Sequence, residues 1–194
     1  MKFFFDTEFT QLRKDTTLIS IGIISDSGDT FYAEFNDYDE ELANDDFIQE
    51  AIIPNLRHTD VGEFFDRGGN NIDMKASRDV VSSKLCKWLD VASNHGAIEF
   101  ISDVSHYDFV LLIDLLANGG SAFDIPENVS PVCHDINQDI AKYLKIRDSE
   151  AFDISREGFC EHVNPNTVFK NPEKYNSLWD AYVIRLIYKA INAF

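Results

Sequence analysis

The chain has 194 residues and a formal net charge of −17, and hydrophobic residues make up 44% of it. This length and apolar content suffice for a single domain over residues 1–194 with a sizeable core. No apolar run reaches the roughly 18 residues of a membrane span, and the N-terminus lacks the pattern of a signal peptide. Three widely spaced cysteines argue against a disulfide framework and indicate a reducing, cytoplasmic location.

The negative charge is unevenly distributed. Residues 142–189 carry 8 basic side chains and 7 acids, whereas the rest of the chain carries 9 basic side chains and 27 acids. Residues 37–50, which we call the acidic segment, hold seven acids and no Lys or Arg, a composition typical of a solvated face. Contacts to phosphates are therefore expected mainly from the C-terminal third. The candidate basic residues are Lys170, Lys174 and Arg156, with Arg13 and Lys14 near the N-terminus.

The N-terminal part of the chain has the clearest strand pattern. Its first segment alternates, so that Phe4, Asp6 and Glu8 fall on one face of a strand. The second segment is rich in isoleucine and apolar on both faces, as in a central buried strand, and residues 25–29 supply the turn after it. We predict three antiparallel strands over residues 2–9, 17–26 and 30–36.

The rest of the chain mixes helical and strand-like segments. The predicted elements are a short helix ended by Pro54 (45–56), a loop (66–73), a helix capped by Ser77, a strand (97–102), a helix (107–120), a weaker strand or connector (131–136), an irregular segment (148–172) and a final helix (178–194). This order predicts an α/β fold with a mixed five-stranded sheet, antiparallel strands first and parallel strands later, flanked by helices.

Four acids stand where a charge needs a partner. Asp6 and Glu8 are two residues apart on one strand, so their side chains point the same way from Cα atoms about 7 Å apart. Asp180 begins the apolar face of the final helix, and Asp108 lies in the first turn of a buried helix, where the helix dipole favours an anion. Taken singly, each has an ordinary explanation: a strand that emerges into solvent, a first-turn helix acid, or an ion pair with a nearby base.

Together, these carboxylates predict a metal site. Carboxylate oxygens are hard ligands that suit Mg²⁺ or Mn²⁺ rather than zinc. Two such ions about 3.5–4 Å apart are a common device for attack on a phosphodiester, in which one activates water and the other stabilises the leaving 3′ oxygen. The Cys and His residues lack zinc-site spacing, and the chain has no motif of a hydrolase triad, a nucleotide triphosphatase or a dinucleotide site.

Three motifs resemble those of the DEDD family of 3′→5′ exonucleases, which includes ribonuclease T and oligoribonuclease. The motifs are DTEFT (6–10), SHYDFVLLIDL (105–115) and YNSLWDA (175–181), and together they extend over nearly the whole chain. The stretches FFFDTEF, LISIGII, FYAEF and FIQEAIIPNL are most similar to small bacterial exoribonucleases of the mycobacterial ribonuclease AS type.

The resemblance implies a ribonuclease H-like fold that binds two Mg²⁺ or Mn²⁺ ions. The implied metal ligands are Asp6, Glu8, Asp108 and Asp180. Asp103 and Asp135 are fallback ligands, and a solvent-facing or capping role is the first expectation for both. Phe9 and Thr10 would lie beside the 3′-terminal nucleotide, where Phe9 either stacks on a base or packs in the core, and Lys174 is a candidate phosphate contact. The implied substrate is the 3′ end of single-stranded RNA, or of DNA, and the implied products are nucleoside monophosphates. A homodimer is also implied.

The third motif departs from the family pattern at Tyr175. One subfamily has a histidine at this position, and the other has a tyrosine one residue later, where this chain has Asn176. Histidine titrates near neutrality and accepts a proton from water, whereas tyrosine, with an ordinary pKa of about 10, is a poor base at pH 7. Either Tyr175 orients the attacking water as a catalytic residue, or His162 replaces the missing histidine, or the chain is a catalytically weak or inactive nucleic-acid-binding module. An acidic interaction protein with solvated carboxylates is a further alternative.

Overall fold

The computed structural model describes residues 1–65, 70–165 and 174–192. Across these residues one mixed sheet is flanked by helices. Its strands are β1 (Lys2–Phe9), β2 (Leu18–Ser25), β3 (Thr30–Phe35), β4 (Gly62–Phe65), β5 (Ile72–Ala76), β6 (Ile98–Ser102) and β7 (Val129–Asp135). The α-helices are α1 (Arg78–Ala92), α2 (His106–Leu116), α3 (Ile136–Leu144), α4 (Asp148–Phe152), α5 (Arg156–Val163) and α6 (Ser177–Ile191).

The strand order in the sheet is β4-β5-β3-β2-β1-β6-β7. Strand β1 pairs antiparallel with β2 and parallel with β6, while β3 pairs antiparallel with β2 and β7 pairs parallel with β6. The three antiparallel strands and the later parallel strands are therefore confirmed as predicted. The arrangement is consistent with a ribonuclease H-like fold.

The predicted number of five strands is wrong, because β4 and β5 extend the sheet beyond β3. Strand β5 pairs parallel with β3, and β4 pairs antiparallel with β5. The loop predicted over residues 66–73 ends too late, since Ile72 and Asp73 already belong to β5. Glycine and asparagine in that stretch indicate a turn, but local composition does not report that β3 offers an unpaired edge on which the neighbouring residues can form a strand.

The alternation of β1 divides the apolar core between the two faces of the sheet. Phe3 and Phe5 pack on one face with apolar side chains of α1 and α2, and Phe4 packs on the other with those of α3, α5 and α6. All three rings are fully buried, and burying each contributes about 2–3 kcal/mol. Because the alternation continues, Asp6 and Glu8 emerge on the same face as Phe4, beside α6.

Helix α6 crosses the sheet at very close range where it meets β2. A Cβ atom on Gly22 would lie 2.1 Å from the backbone nitrogen of Leu178, so the close approach requires glycine. The hydroxyl oxygens of Ser20 and Ser177 lie 2.9 Å apart in a hydrogen bond. These contacts fix the start of α6 on β2, the strand that pairs with β1.

The helices α1, α2 and α6 are confirmed with slightly different ends. The Ser77 side chain makes no capping hydrogen bond at the start of α1. Instead, a carboxylate oxygen of Asp37 accepts a hydrogen bond from the Arg78 N–H at 2.9 Å. The prediction that the Ser77 side chain caps α1 is therefore wrong. The capping hydrogen bond is made instead by the carboxylate of Asp37, a residue distant in sequence.

Two further helical predictions need correction. The short helix predicted over residues 45–56 is a π-helical turn, Ile48–Ile52, followed by a 3-10 turn, Ile53–Asn55, that contains Pro54 rather than ending before it. The segment 148–172, predicted as irregular, contains α4 and α5 in its described part. These helices are short, and the apolar pattern of so few residues is weak. In the described ranges no helix has both the length and the apolar character needed to cross a membrane.

Candidate functional site

A cleft of about 360 Å³ opens at the carboxyl ends of β1 and β6, against the first turns of α6. The carboxyl ends of parallel strands meet at one edge of a sheet, and residues that follow them converge there. We call this feature the acidic cleft. Its lining includes the carboxylates of Asp6, Glu8, Asp103, Asp108, Glu157 and Asp180.

Asp6, Glu8 and Asp180 meet at one point of the acidic cleft. Each offers a carboxylate oxygen, and the three oxygens lie within 4.8 Å of one another. The two residues of β1 are neighbours on one face of the strand, and α6 brings the third from the far end of the chain. An oxygen-only donor set at this spacing fits a hard divalent cation rather than zinc.

Asp108 lines the same cleft, but its carboxylate is turned toward Thr7. Asp108 Oδ1 accepts hydrogen bonds from the Thr7 backbone N–H, at 3.2 Å, and from the Thr7 hydroxyl. Thr7 lies between Asp6 and Glu8 in sequence and points to the opposite face of β1. This contact was not predicted from the sequence, although a threonine on an otherwise apolar face is a signal that its hydroxyl has a partner.

Burial and mutual repulsion favour the protonated forms of these acids. Burial, and then the charges of Asp180 and Asp108, raise the pKa of Glu8 to about 8. Burial, and then the charge of Glu157, raise the pKa of Asp180 to about 7. Burial raises the pKa of Asp108 to about 6, and the pKa of Asp6 lies well above its ordinary range for the same first reason. A bound cation would oppose these shifts, because it stabilises the ionised forms.

Two basic side chains, Arg156 and Lys174, line the acidic cleft. Arg156 donates to both carboxylate oxygens of Asp103, at 2.6 and 2.8 Å, and also to the backbone carbonyl oxygen of Ile154. Its guanidinium is therefore engaged within the protein. Lys174 is exposed, and its ammonium nitrogen lies 5.2 Å from the centre of the Tyr175 ring.

Other residues singled out from the sequence lie away from this lining. Arg13 and Lys14 are exposed after β1, and Lys170 lies outside the described residues. His162 is exposed on α5, with its ring 6.4 Å from that of Phe159, and it is not among the cleft residues.

Asp135 caps α3, which is the role expected for it ahead of metal ligation. Its Oδ1 accepts a hydrogen bond from the Asn137 N–H at 2.9 Å. The same carboxylate accepts from the backbone N–H groups of Val104 and Ser105, both at 3.2 Å. These contacts tie the end of β7 to the loop between β6 and α2.

Tyr175 contacts Asp180 through its backbone. Its φ of +66° is in the left-handed region, which is uncommon for a bulky residue. Its N–H donates to Asp180 Oδ2 at 3.1 Å. The ring meets Phe47 edge-on, with centroids 5.1 Å apart, and packs against the buried cluster that includes Ile48 and Ile52. The residue thus orients a candidate metal ligand while its ring packs on the π-helical turn.

Asn176 occupies the position at which the other subfamily has its tyrosine. The side chain is only 2% exposed and caps α6, where Oδ1 accepts from the Trp179 N–H at 3.4 Å. Its Nδ2 donates to the Tyr32 hydroxyl and to the Asn55 carbonyl oxygen. Asn176 therefore positions the start of α6, and it is not among the residues that line the acidic cleft.

A largely apolar pocket of about 370 Å³ adjoins the acidic cleft at Glu8 and Phe9. The Phe9 ring also stacks on Tyr107, with ring centroids 5.8 Å apart, so it combines a packing contact with a place in the pocket wall. Thr10 is fully buried, and its hydroxyl accepts a hydrogen bond from the Thr17 N–H at 3.0 Å. The two predicted substrate residues therefore border a pocket next to the carboxylates.

Part of the chain is similar in sequence to known proteins. No protein-family model matches the chain. Two curated proteins of Mycobacterium tuberculosis, each named a 3′-5′ exoribonuclease, are 34% identical to the chain over 56 residues. The alignment covers 29% of this chain and 33% of each relative, so the match spans about a third of the relatives' length. Over that segment it confirms the resemblance to exoribonucleases of the mycobacterial type.

Proposed function

We propose that the chain is a metal-dependent 3′→5′ exonuclease that releases nucleoside monophosphates from single-stranded ends, with RNA favoured over DNA. The observation that carries the proposal is the convergence of Asp6, Glu8 and Asp180 oxygens within 4.8 Å of one another in the acidic cleft. The partial similarity to two proteins named 3′-5′ exoribonucleases supports RNA as the substrate.

The charge of the acidic cleft supports a cofactor of two Mg²⁺ or Mn²⁺ ions. Its six carboxylates and two basic side chains carry a formal charge of −4 when all are ionised, and two divalent cations match that charge. Asp6, Glu8 and Asp180 would hold them, with Asp108 placed beside them by Thr7. When bound, such ions activate water and stabilise the leaving oxygen of an in-line displacement. The raised pKa values of these acids mean that cation binding releases protons near neutral pH.

The remaining residues around the cleft would act on the RNA itself. Phe9 borders the apolar pocket beside Glu8 and offers a face to the 3′-terminal base. The exposed Lys174 lies at the cleft and can pair with a phosphate. Tyr175 also lines the cleft, and we assign its hydroxyl the task of orienting the attacking water. Arg156 is paired with Asp103, so it shapes the wall of the cleft rather than binding phosphate.

The proposal is tested with a single-stranded RNA oligomer labelled at its 5′ end. With Mn²⁺ or Mg²⁺ we expect stepwise shortening from the 3′ end and release of nucleoside monophosphates, both stopped by EDTA. A DNA oligomer of the same sequence should be shortened more slowly. Absence of shortening of RNA and DNA with either metal would overturn the nuclease proposal.

A second candidate is a catalytically weak or inactive nucleic-acid-binding module on the same fold. It is favoured by one observation, namely that none of the cleft-lining residues in the described part of the chain is a histidine. RNA binding with Mn²⁺ but without shortening would support it. A Tyr175→His variant that gains rate would show that the natural residue limits catalysis, and a Tyr175→Phe variant with an unchanged rate would remove the hydroxyl from the mechanism. The homodimer remains a prediction, which analytical ultracentrifugation can test.

A further inference from the structure

Two asparagines clamp the turn formed by residues 174–176, just before α6. Asn55, which ends the 3-10 turn, donates from Nδ2 to the carbonyl oxygen of Lys174 at 3.1 Å. Asn176 donates from its own Nδ2 to the carbonyl oxygen of Asn55, also at 3.1 Å. Both ends of the turn are thus tied to one residue of the segment between β3 and β4. We call Asn55 and Asn176 the asparagine clamp.

Buried polar side chains of β3 are hydrogen-bonded to the asparagine clamp. Asn176 Nδ2 donates to the Tyr32 hydroxyl at 3.2 Å, and that hydroxyl donates to Glu34 Oε1 at 2.8 Å. Tyr32 and Glu34 are fully buried. The Glu34 carboxylate also accepts from two backbone N–H groups and lies 3.8 Å from the Lys75 ammonium. A buried network with this many partners favours a single arrangement of its members.

The clamped turn contains the strained residue that contacts a candidate metal ligand. Tyr175 has a φ of +66°, and its N–H points to Asp180 Oδ2 at 3.1 Å. A non-glycine residue keeps such a conformation only where its surroundings impose it. The clamp bonds lie on both sides of Tyr175, at Lys174 and at Asn176. Without them the turn could relax, and the N–H would no longer be aimed at Asp180.

We propose that Asn55, Asn176 and Tyr32 are positioning residues, which set Asp180 in the orientation that lets it share a cation with Asp6 and Glu8. This inference rests on the proposed metal-dependent function. Hydrogen-bond partners behind metal ligands typically change metal affinity by about 10- to 100-fold. The segment between β3 and β4, which contains Asn55, would then set the affinity of the metal site. None of the three converging carboxylates belongs to that segment.

The test is a calorimetric titration of Mn²⁺ into the full chain and three variants. Asn55→Ala removes the bond to the Lys174 carbonyl oxygen and also a local bond from Nδ2 to the Ala51 carbonyl oxygen. Asn176→Ser keeps an oxygen that can cap α6, but it removes both donated hydrogen bonds and the amide oxygen that accepts from the Arg57 guanidinium at 3.2 Å. Tyr32→Phe removes one hydroxyl and leaves the helix cap intact, so it serves as the mildest variant if the others unfold.

The matched control is Asn128→Ala. Asn128 Nδ2 donates to the carbonyl oxygen of Gly96 at 3.0 Å, so the control also removes an asparagine bridge between two segments. It lies before the start of β7, at the sheet edge opposite the acidic cleft. The thermal midpoint of every variant is measured alongside, so that loss of stability and loss of affinity can be separated.

We expect the Mn²⁺ dissociation constant to rise about 10-fold or more in Asn55→Ala and Asn176→Ser. In Tyr32→Phe it should rise about threefold, because this variant removes one of the two hydrogen bonds that Asn176 donates, together with the bond that the Tyr32 hydroxyl donates to Glu34. The control should stay within twofold of the wild type. Clamp variants within twofold of a wild type that binds Mn²⁺ would overturn the positioning role alone. An equal loss in the control would also overturn it, and a wild type that binds no Mn²⁺ would overturn both this inference and the metal-dependent function.

Discussion

The acidic segment (37–50) and the acidic cleft contain similar numbers of carboxylates, but their surroundings differ. In the segment all seven acids are exposed, and several bond to the nearest backbone. Asp39 Oδ1 accepts from the Glu41 N–H at 3.0 Å, and Asp45 Oδ1 accepts from the Phe47 N–H at 2.9 Å. Water screens exposed charges, so their mutual repulsion costs little.

In the cleft, the acids come from distant parts of the chain and are partly or fully buried. Burial is the first cause of the raised pKa values of Asp6, Glu8, Asp108 and Asp180. Loss of hydration and proximity of like charges are unfavourable unless a cation is available. A count of acids therefore does not distinguish a solvated face from a cation site, whereas burial and convergence do.

The largest effect is expected in the rate of RNA shortening, when one acid of each region is replaced by its neutral amide. We expect Asp180→Asn to lower the rate of RNA shortening by about 10²- to 10³-fold, the usual range for a lost catalytic electrostatic contact. Glu40→Gln, in the acidic segment, should leave the rate within twofold of the wild type. The measurement is the initial rate on a labelled RNA with Mn²⁺. Equal rates in the two variants would remove the functional distinction between the regions.

Metal binding should stabilise the protein through the cleft alone. At a Mn²⁺ concentration 100 times the dissociation constant, the free energy of unfolding should rise by about 2.7 kcal/mol, which raises the thermal midpoint by about 5–10 °C for a chain of this size. Differential scanning calorimetry with Mn²⁺ and with EDTA measures the shift. Asp6→Asn should lose it and Glu40→Gln should keep it. A shift retained in Asp6→Asn would place the metal elsewhere.

The raised pKa values predict how stability depends on pH when no metal is added. Between about pH 4 and pH 8 the folded state binds more protons than the unfolded state, so the free energy of unfolding falls as pH rises. The loss should run through the folded-state pKa values of about 6 for Asp108, 7 for Asp180 and 8 for Glu8. The slope is about 1.4 kcal/mol per pH unit for each proton by which the two states differ.

Urea unfolding in EDTA across this pH range measures that slope. In Glu8→Gln the free energy of unfolding should fall less steeply as the pH approaches 8, because the carboxyl group with a pKa of about 8 is removed. Glu40→Gln should leave the profile unchanged. A stability that rises between pH 6 and pH 8 in the wild type would contradict the protonation assigned to the cleft.

The smallest effect is expected from an acid of the segment that has a structural contact. Asp37→Ala should lower the free energy of unfolding by about 1 kcal/mol, since the Asp37 carboxylate caps α1. Ser77→Ala should cost less, because the Ser77 side chain makes no capping bond. Chemical denaturation compares the two variants. Neither substitution should change the Mn²⁺ affinity, and a change with Asp37→Ala would link the acidic segment to the metal site.

Much of the central fold was predictable because its signals are local. The strands β1, β2 and β3 follow from alternation and from isoleucine-rich composition, and α6 follows from its apolar stripe. The strands β4 and β5 were missed, since their formation depends on the free edge of β3 rather than on their own short sequences. A short helix was predicted over residues 45–56, but its π-helical geometry was not, because its residues pack against Tyr175 and against Ile19 of β2, contacts that helix propensity does not report.

The candidate site was predictable to a smaller extent. The spacing of Asp6 and Glu8 places both on one strand face without any tertiary information. That Asp180 meets them was a hypothesis from its place on the apolar face of the final helix and from the family resemblance, and the geometry brings the three oxygens together. Glu157 was not foreseen in the cleft, nor was the asparagine clamp, because their partners are far away in sequence and no local pattern marks them.

The sequence by itself determined which way side chains point along β1, because the direction of neighbouring side chains on a strand depends only on local backbone geometry. The tertiary structure alone decided which distant groups meet and how easily they ionise. The close packing of α6 over Gly22 sets the position of Asp180, and burial of the assembled carboxylates raises their pKa values. Both effects depend on contacts between residues that the chain order keeps far apart.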